Sequence, residues 1–248
     1  MSTAERKNRS SPRCVVVIMV GSGALVWRAA MHAASAGKPV EAVIHPHGED
    51  VPAQAVELNC VATHDVNELA EYIGGLSIDR LVCSTGNPFI FRTPILDLGL
   101  TIVNVHGAPL PRYRGLPLAT AAFAILRSER EFGVTLHRVD AGIDTGPVVD
   151  RRTFSLSSSV TLEELSLQVT DACHEILTDN IDDLDRVPEQ DVDESSQPGE
   201  YFGFTQLASI STYRDHPNFD RATDLGVLDE FYPSYAELFE AARSRTIR

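Results

Sequence analysis

The chain has 248 residues, with 35 Asp and Glu against 21 Lys and Arg, for a formal charge of −14 at pH 7. That length suits one sizeable domain with a small appendage, and 43% hydrophobic with 23% charged residues excludes a globally disordered chain. The surplus of acid argues against a nucleic-acid partner, because such binding draws on clustered Lys and Arg that displace counterions.

Residues 1–13 are polar and have no apolar stretch, so they predict a disordered tail and not a signal peptide. No apolar run approaches the roughly 18 residues that a bilayer span needs, and the expectation is a soluble, cytoplasmic protein without a membrane partner. Cys14, Cys60, Cys83 and Cys173 are scattered, with no Cys-x-x-Cys pair, and three of them sit in apolar or helical contexts that read as buried free thiols.

The apolar, β-rich run over 15–20 predicts a buried strand. It ends in Gly21-Ser22-Gly23, and a helical pattern follows to Ala36 and stops at Gly37. Residues 40–44 read as a second strand. Asp65 caps a predicted helix over 66–73, stopped by Gly74-Gly75, and residues 79–84 and 100–105 supply the third and fourth strands. This alternation implies an α/β protein with a Rossmann-like, doubly wound, mostly parallel sheet. A loop over 107–117 and a helix to about Leu126 come next. An alternating strand over 133–139 and its hairpin partner over 147–154 add antiparallel edge strands.

A long amphipathic helix spans 160–184. Between Asp179 and Glu194 stand eight acids and one Arg, the pattern of a solvated helix end and linker. The predicted organisation is therefore a tail over 1–13, a main domain over 14–184, an acidic linker over 185–198 and a short C-terminal extension over 199–248. That extension holds nine of the sixteen Phe and Tyr residues, enough to pack on something.

Gly21-x-Gly23 after a first strand invites a dinucleotide reading. The third glycine of that fingerprint is replaced by Val26, and the acid closing the second strand by His45-Pro46. A tight strand-to-helix turn accounts better for the two glycines, although its backbone amides remain suited to an anionic group.

The chemically informative stretch is 102–149. Asn104 and His106 are two apart at the carboxyl end of a predicted strand, so they leave one face, and open α/β sheets place ligands at that end. Asp144 lies between Gly142 and Gly146, which let a backbone hold an acid in an unusual place. An amide donor, an imidazole and a carboxylate at one point suit acyl transfer: Asn donates to a developing oxyanion, His exchanges a proton, and Asp orients the His. No Ser or Cys sits in a nucleophile elbow, so a covalent acyl-enzyme is not implied. Taken singly, Asn-x-His is also a common structural pair, and an Asp in a Gly-rich loop is ordinary turn chemistry.

Asn104-Val-His106-Gly, Leu110-Pro-Arg112-Tyr-Arg114-Gly115, Gly133-Val-Thr135 and Asp140-Ala-Gly142-Ile-Asp144-Thr-Gly-Pro147 occur in that order. The string closely resembles the formyltransferases that use 10-formyltetrahydrofolate, a family that includes methionyl-tRNA, glycinamide ribonucleotide and sugar-nucleotide enzymes. The likeness covers about residues 14–155 and is dense over 102–149. Ala108 stands where the family often has Ser.

The resemblance implies that Asn104, His106 and Asp144 are catalytic and that 14–184 is the catalytic domain. It implies a co-substrate, 10-formyltetrahydrofolate, lying along Thr85, Gly86, Asn87, Phe89 and Ile90 with Asp140 and Gly142. Arg112, Arg114 and Gly115 would meet the acceptor, and no metal is implied. A primary amine would attack the formyl carbon directly, with Asn104 and protonated His106 stabilising the oxyanion and Asp144 helping to remove the amine proton.

The acidic balance, with only a short extension after Glu194, points away from tRNA and toward a small-molecule amine, first a nucleotide-linked amino sugar. Another natural-product or aminoacyl amine, a hydrolase acting on the same folate, and a silent binding protein stay open. Sugar enzymes of this family are often dimers through their C-terminal segments, and Phe202, Phe204, Tyr213, Phe231 and Tyr232 are candidates for such a homodimer contact. Packing of those rings within the chain is the other reading.

Overall fold

A computed structural model describes residues 16–76, 80–181 and 199–244. The expected tail over 1–13, Cys14 and the acidic linker over 185–198 lie outside the described residues.

The first strand, β1 (Val16–Gly21), sends Val17 and Met19 into one core and Ile18 and Val20 into another. Successive side chains of a strand point to opposite faces, and both faces are covered here, so the run is apolar without interruption. Helix α1 (Gly23–Ser35) follows, and β2 (Val40–Pro46) returns parallel to β1. Next comes β3 (Cys60–Thr63), an edge strand that the sequence did not predict. Its four residues are mostly half-exposed, too few to show a period.

Asp65 caps as expected, accepting from Asn67 N at 3.0 Å. The helix it opens begins as a 3-10 turn over Val66–Leu69, and only Ala70–Gly75 is α2. Then follow β4 (Arg80–Thr85), a four-residue α3 (Thr93–Leu96) that was not predicted, and β5 (Thr101–His106). β5 runs one residue past the predicted end, which places His106 on the sheet itself. After β6 (Tyr113–Gly115) and α4 (Pro117–Leu126), the hairpin of β7 (Glu131–Arg138) and β8 (Val148–Ser155) closes one edge. α5 (Leu162–Asn180) falls within the predicted 160–184, of which 182–184 lie outside the described residues. Thr161 and Glu164 form a capping box at its start.

The seven strands lie in the order β3-β2-β1-β4-β5-β7-β8. They are parallel through β5, with β7 and β8 antiparallel at the same edge. The Rossmann-like class therefore holds. The larger core packs α1, α4 and α5 on one face, and the smaller core packs α2 and α3 on the other.

Residues 118–126 of α4 are all buried, which requires cover on every side. The extension supplies part of it through β9 (Glu200–Phe202), α6 (Phe204–Ala208) and α7 (Phe219–Ala222), while α8 (Pro233–Arg243) packs on the 3-10 turns of the extension itself. Asn218 Nδ2 donates to the Ile125 carbonyl at 2.9 Å near the end of α4. The Phe202 ring lies 5.3 Å from Tyr113 and 5.0 Å from Phe123. Burying such a side chain contributes roughly 1.5–3 kcal/mol. β9 pairs parallel with β6 inside the segment predicted as a loop.

Cys60, Cys83 and Cys173 are free, and burial pushes the Cys83 and Cys173 thiols up to about 12. Among the described residues no helix is long and apolar enough to cross a membrane.

Candidate active site

β5 and β7 build the centre of the site. Asn104 and His106 leave one face of β5, and antiparallel β7 sets His137 opposite Asn104 and Thr135 opposite His106. His106 is buried, and its Nε2–H donates to the Tyr113 carbonyl at 2.9 Å. That bond fixes the tautomer and leaves Nδ1 facing Asp144 Oδ2 at 3.6 Å. The other carboxylate oxygen, Oδ1, lies 3.7 Å from His137 Nε2. One carboxylate thus stands between two imidazoles whose rings meet nearly at right angles, 6.4 Å apart.

Asp144 reaches this position through a backbone φ of +53°, a left-handed conformation that Asp tolerates better than most residues. The Gly115 amide donates to Asp144 Oδ2 at 2.9 Å. Gly115 has φ +102°, and a Cβ there would stand 2.4 Å from the Phe202 carbonyl oxygen. Only glycine allows β9 to approach so closely. The loop before Asp144 is shaped by Asp140, whose Oδ1 accepts from Gly142 N at 3.0 Å and from Thr145 Oγ1 at 2.7 Å.

His137 was not among the residues singled out from the sequence. Burial pushes its pKa below 6.5, and the charge of His106 adds to the effect while Asp144 opposes it. The neutral ring donates from Nδ1 to the Arg138 carbonyl at 2.9 Å. Its Nε2 accepts from Asn104 Nδ2 at 3.2 Å. One amide hydrogen of Asn104 is engaged in this way and the second stays available. The signal in the sequence was Thr135-x-His137, which repeats the two-residue spacing of Asn104-x-His106 on the neighbouring strand. Thr135 Oγ1 also ties the 108–110 turn, donating to Ala108 O at 2.9 Å and accepting from Leu110 N at 3.0 Å.

The segment after β4 carries the residues expected to meet a folate. Thr85 is buried, and its Oγ1 has no hydrogen-bond partner among the described residues. Gly86 adopts φ +59°, Asn87 Oδ1 accepts from Phe89 N at 2.8 Å, Phe89 is half-buried, and Ile90 is 55% exposed. Asn67, which the sequence did not flag, braces this segment. It donates to Ile90 O at 2.9 Å and accepts from Arg92 N at 2.7 Å. The Arg92 guanidinium reaches Asp65 at 3.0 Å. Hydrogen bonds from Asn67, with Arg92 beside them, hold the Asp65 carboxyl below its usual value.

Of the residues expected to meet the acceptor, Arg112 pairs with Glu129, which also accepts from the Tyr113 hydroxyl at 2.8 Å. The Nε of Arg114 is buried without a partner among the described residues, and Gly115 holds Asp144. At the Gly21-Ser22-Gly23 turn, Glu49 Oε1 accepts from Gly23 N at 2.7 Å and from Trp27 Nε1 at 2.8 Å. The chain's own carboxylate thus takes the place suited to an anionic ligand. Gly21 serves close packing, since a Cβ there would meet Thr85 O at 1.9 Å. Among the aromatic residues considered for a dimer contact, Phe202 is fully buried, while Phe204, Tyr213, Phe231 and Tyr232 are exposed.

The arrangement pairs an amide donor with an imidazole and carboxylate that can hold a proton. Comparison with known proteins agrees with that chemistry. The family model described as "Formyl transferase" matches residues 2–181. Methionyl-tRNA formyltransferase of Citrifermentans bemidjiense is 31% identical over 159 residues, covering 62% of this chain and 47% of that protein. The chain thus spans about half the length of such a relative. A sugar N-formyltransferase from Shewanella sp. superposes with a TM-score of 0.69 at 19% identity, covering 86% of this chain and 89% of that one. An N-formyltransferase from Helicobacter canadensis, solved with folinic acid and dTDP-3-aminofucose, gives 0.66 at 20% identity, covering 84% and 80%. These two likenesses speak to the fold. The extent of the family match, over most of the main domain, places this chain in the formyl transferase family.

Proposed function

We propose that the chain transfers the formyl group of 10-formyltetrahydrofolate to a primary amine, and that the amine belongs to a nucleotide-linked amino sugar. The observation that carries the reading is the convergence of His106 and His137 on Asp144, with the carboxylate 3.6 and 3.7 Å from the two rings and Asn104 held by His137. In such a transfer the attacking amine loses one proton and the departing nitrogen gains one. The site therefore needs a group that holds a proton in between. His106 Nδ1, facing Asp144, is that group, and the free hydrogen of Asn104 Nδ2 is the oxyanion donor.

The residues after β4 suit a folate. Exposed Ile90 and half-buried Phe89 offer an apolar lip, and Thr85 Oγ1 is an unpaired buried polar atom beside it. Bound there, the folate supplies the activated formyl group. Arg114, with its unpaired Nε, supports a phosphate-bearing acceptor. The sugar assignment also draws on the Shewanella and Helicobacter proteins, which superpose on 86% and 84% of this chain. The net charge of −14 weighs against tRNA. A homodimer through exposed Phe204, Phe231 and Tyr232 belongs to the same proposal, and light scattering of the wild type and of Phe231→Glu tests it.

The deciding experiment incubates the protein with 10-formyltetrahydrofolate, with and without an amine panel that includes dTDP-3-aminofucose and an aminoacyl amine. Loss of the formyl group only when amine is present supports the transferase. Loss without amine makes the protein a hydrolase, and binding without turnover makes it a binding module.

A further inference from the structure

One buried polar group beside the reacting residues has no task in the scheme above. Ser84 on β4 is 1% exposed, and its Oγ has no hydrogen-bond partner among the described residues. Buried hydroxyls are nearly always paired, and an exception calls for a reason. The parallel register sets Ser84 directly beside Asn104 of β5, and Asn104 stands opposite His137 of β7. Residues paired in register share a face, so the three side chains form one row across the sheet, with the carboxamide in the middle. His137 already engages the Nδ2 end of that carboxamide at 3.2 Å. The Oδ1 end is an acceptor free to take a donor. Neighbouring strands lie about 4.8 Å apart, which puts a serine hydroxyl within reach of it by rotation about χ1.

We infer that Ser84 is a positioning residue for Asn104: its hydroxyl donates to Asn104 Oδ1, so that the carboxamide is held from both sides, by Ser84 and by His137. A carboxamide free to rotate presents oxygen as readily as nitrogen, and only the nitrogen stabilises an oxyanion. Burial favours this indirect role over contact with substrate, because the hydroxyl is closed off whereas Asn104 is only half-buried.

The inference rests on the proposed reaction for its consequence, but its test does not. Ser84→Ala and Ser84→Thr are made in the full chain, and side-chain amide resonances are recorded with and without folinic acid, with Asn104→Asp for assignment. Solvent exchange of the Asn104 Nδ2 protons is expected to be at least tenfold faster in Ser84→Ala and restored in Ser84→Thr. Melting of Ser84→Ala should fall only slightly, since one hydrogen bond to Asn104 Oδ1 is lost and the methyl fills the same space. With 10-formyltetrahydrofolate and dTDP-3-aminofucose, kcat should fall at least tenfold while KM for the folate stays within twofold. Unchanged amide exchange in Ser84→Ala overturns the inference, and so does a lowered melting temperature without a change in exchange. A wild-type protein that leaves the sugar untouched counts against the proposed acceptor, and the amide exchange still decides Ser84.

Discussion

Asn104 Nδ2 lies 3.2 Å from His137 Nε2 across β5 and β7, and the same imidazole is kept neutral by its burial. The two facts depend on each other, because a protonated His137 has no lone pair for the amide to meet. His137→Leu, close in volume and without an acceptor, should leave the chain folded and cut formyl transfer about tenfold through loss of one hydrogen bond's worth of alignment. Steady-state turnover against the wild type measures it.

The depressed pKa of His137 also fixes a pH dependence. Above 6.5, its ordinary value, the ring is neutral whether the chain is folded or not, and it contributes nothing to the slope. As pH falls through 6.5 the unfolded chain takes up a proton that the folded chain refuses, so stability drops until the lower folded pKa is passed. Urea unfolding between pH 8 and 5.5 should show the wild type losing more stability than His137→Leu. His174, also depressed by burial and by Arg28, is common to both proteins and cancels in the difference. Parallel slopes would mean that His137 titrates normally.

The carboxylate between the two rings is separable from its structural bond. Asp144→Asn keeps an oxygen that can accept from Gly115 N, a contact of 2.9 Å in the wild type, but removes the charge facing His106. The variant should melt near the wild type and lose on the order of 100- to 10,000-fold in turnover, the range for a proton-transfer group. His106→Ala should lose a similar factor.

Much of this was legible in the sequence because two physical periods were intact. The apolar run ending at Val20 and the Asn104-x-His106 spacing each follow from alternation along a strand, and the order of strands and helices gave the sheet. β3 was missed because its four residues, two half-buried, one exposed and one buried, are too few to show a period. The pairing of β6 with β9 was missed for another reason. Tyr113 and Glu200 are partners in register, yet nothing local to either segment records a contact so distant in the chain. His137 was read as one more position of an alternating strand, and only the register opposite Asn104 gives it a role. Arg112 illustrates the limit for charges: its pairing with Glu129 depends on a turn that composition does not reveal.

Gly115 is where the extension and the site meet. Its positive φ costs of order 1–3 kcal/mol for any other residue, and an added Cβ would meet the Phe202 carbonyl at 2.4 Å. Gly115→Ala should therefore lower the melting temperature by roughly 4–10 °C. Turnover should fall as well, because the amide that holds Asp144 moves with the strand. Thermal melts and turnover of Gly115→Ala beside Gly37→Ala are the measurement. Gly37 has φ +74° and open space around its Cβ position, so its replacement tests backbone strain without the clash. Equal effects at the two positions would remove the case for a special contact at Phe202.

Asn67 gives the segment after β4, where the folate is proposed to lie, its shape without touching the proposed reacting groups. Its carboxamide grips the backbone twice, at Ile90 O (2.9 Å) and Arg92 N (2.7 Å), and its amide nitrogen also meets Asp65 Oδ1 at 2.6 Å. Asp cannot donate to the Ile90 carbonyl, and Ala can do neither, so the two substitutions grade the loss. Each bond is worth about 1 kcal/mol net. Folinic acid should consequently bind about five- to tenfold more weakly to Asn67→Asp and about tenfold or more weakly to Asn67→Ala. Calorimetric titration reads both, and kcat at saturating folate should stay close to the wild type because Asn104, His106 and Asp144 are untouched. A loss of kcat with unchanged folate affinity would instead place the 87–92 segment against the reacting centre and move the folate elsewhere along the strand ends.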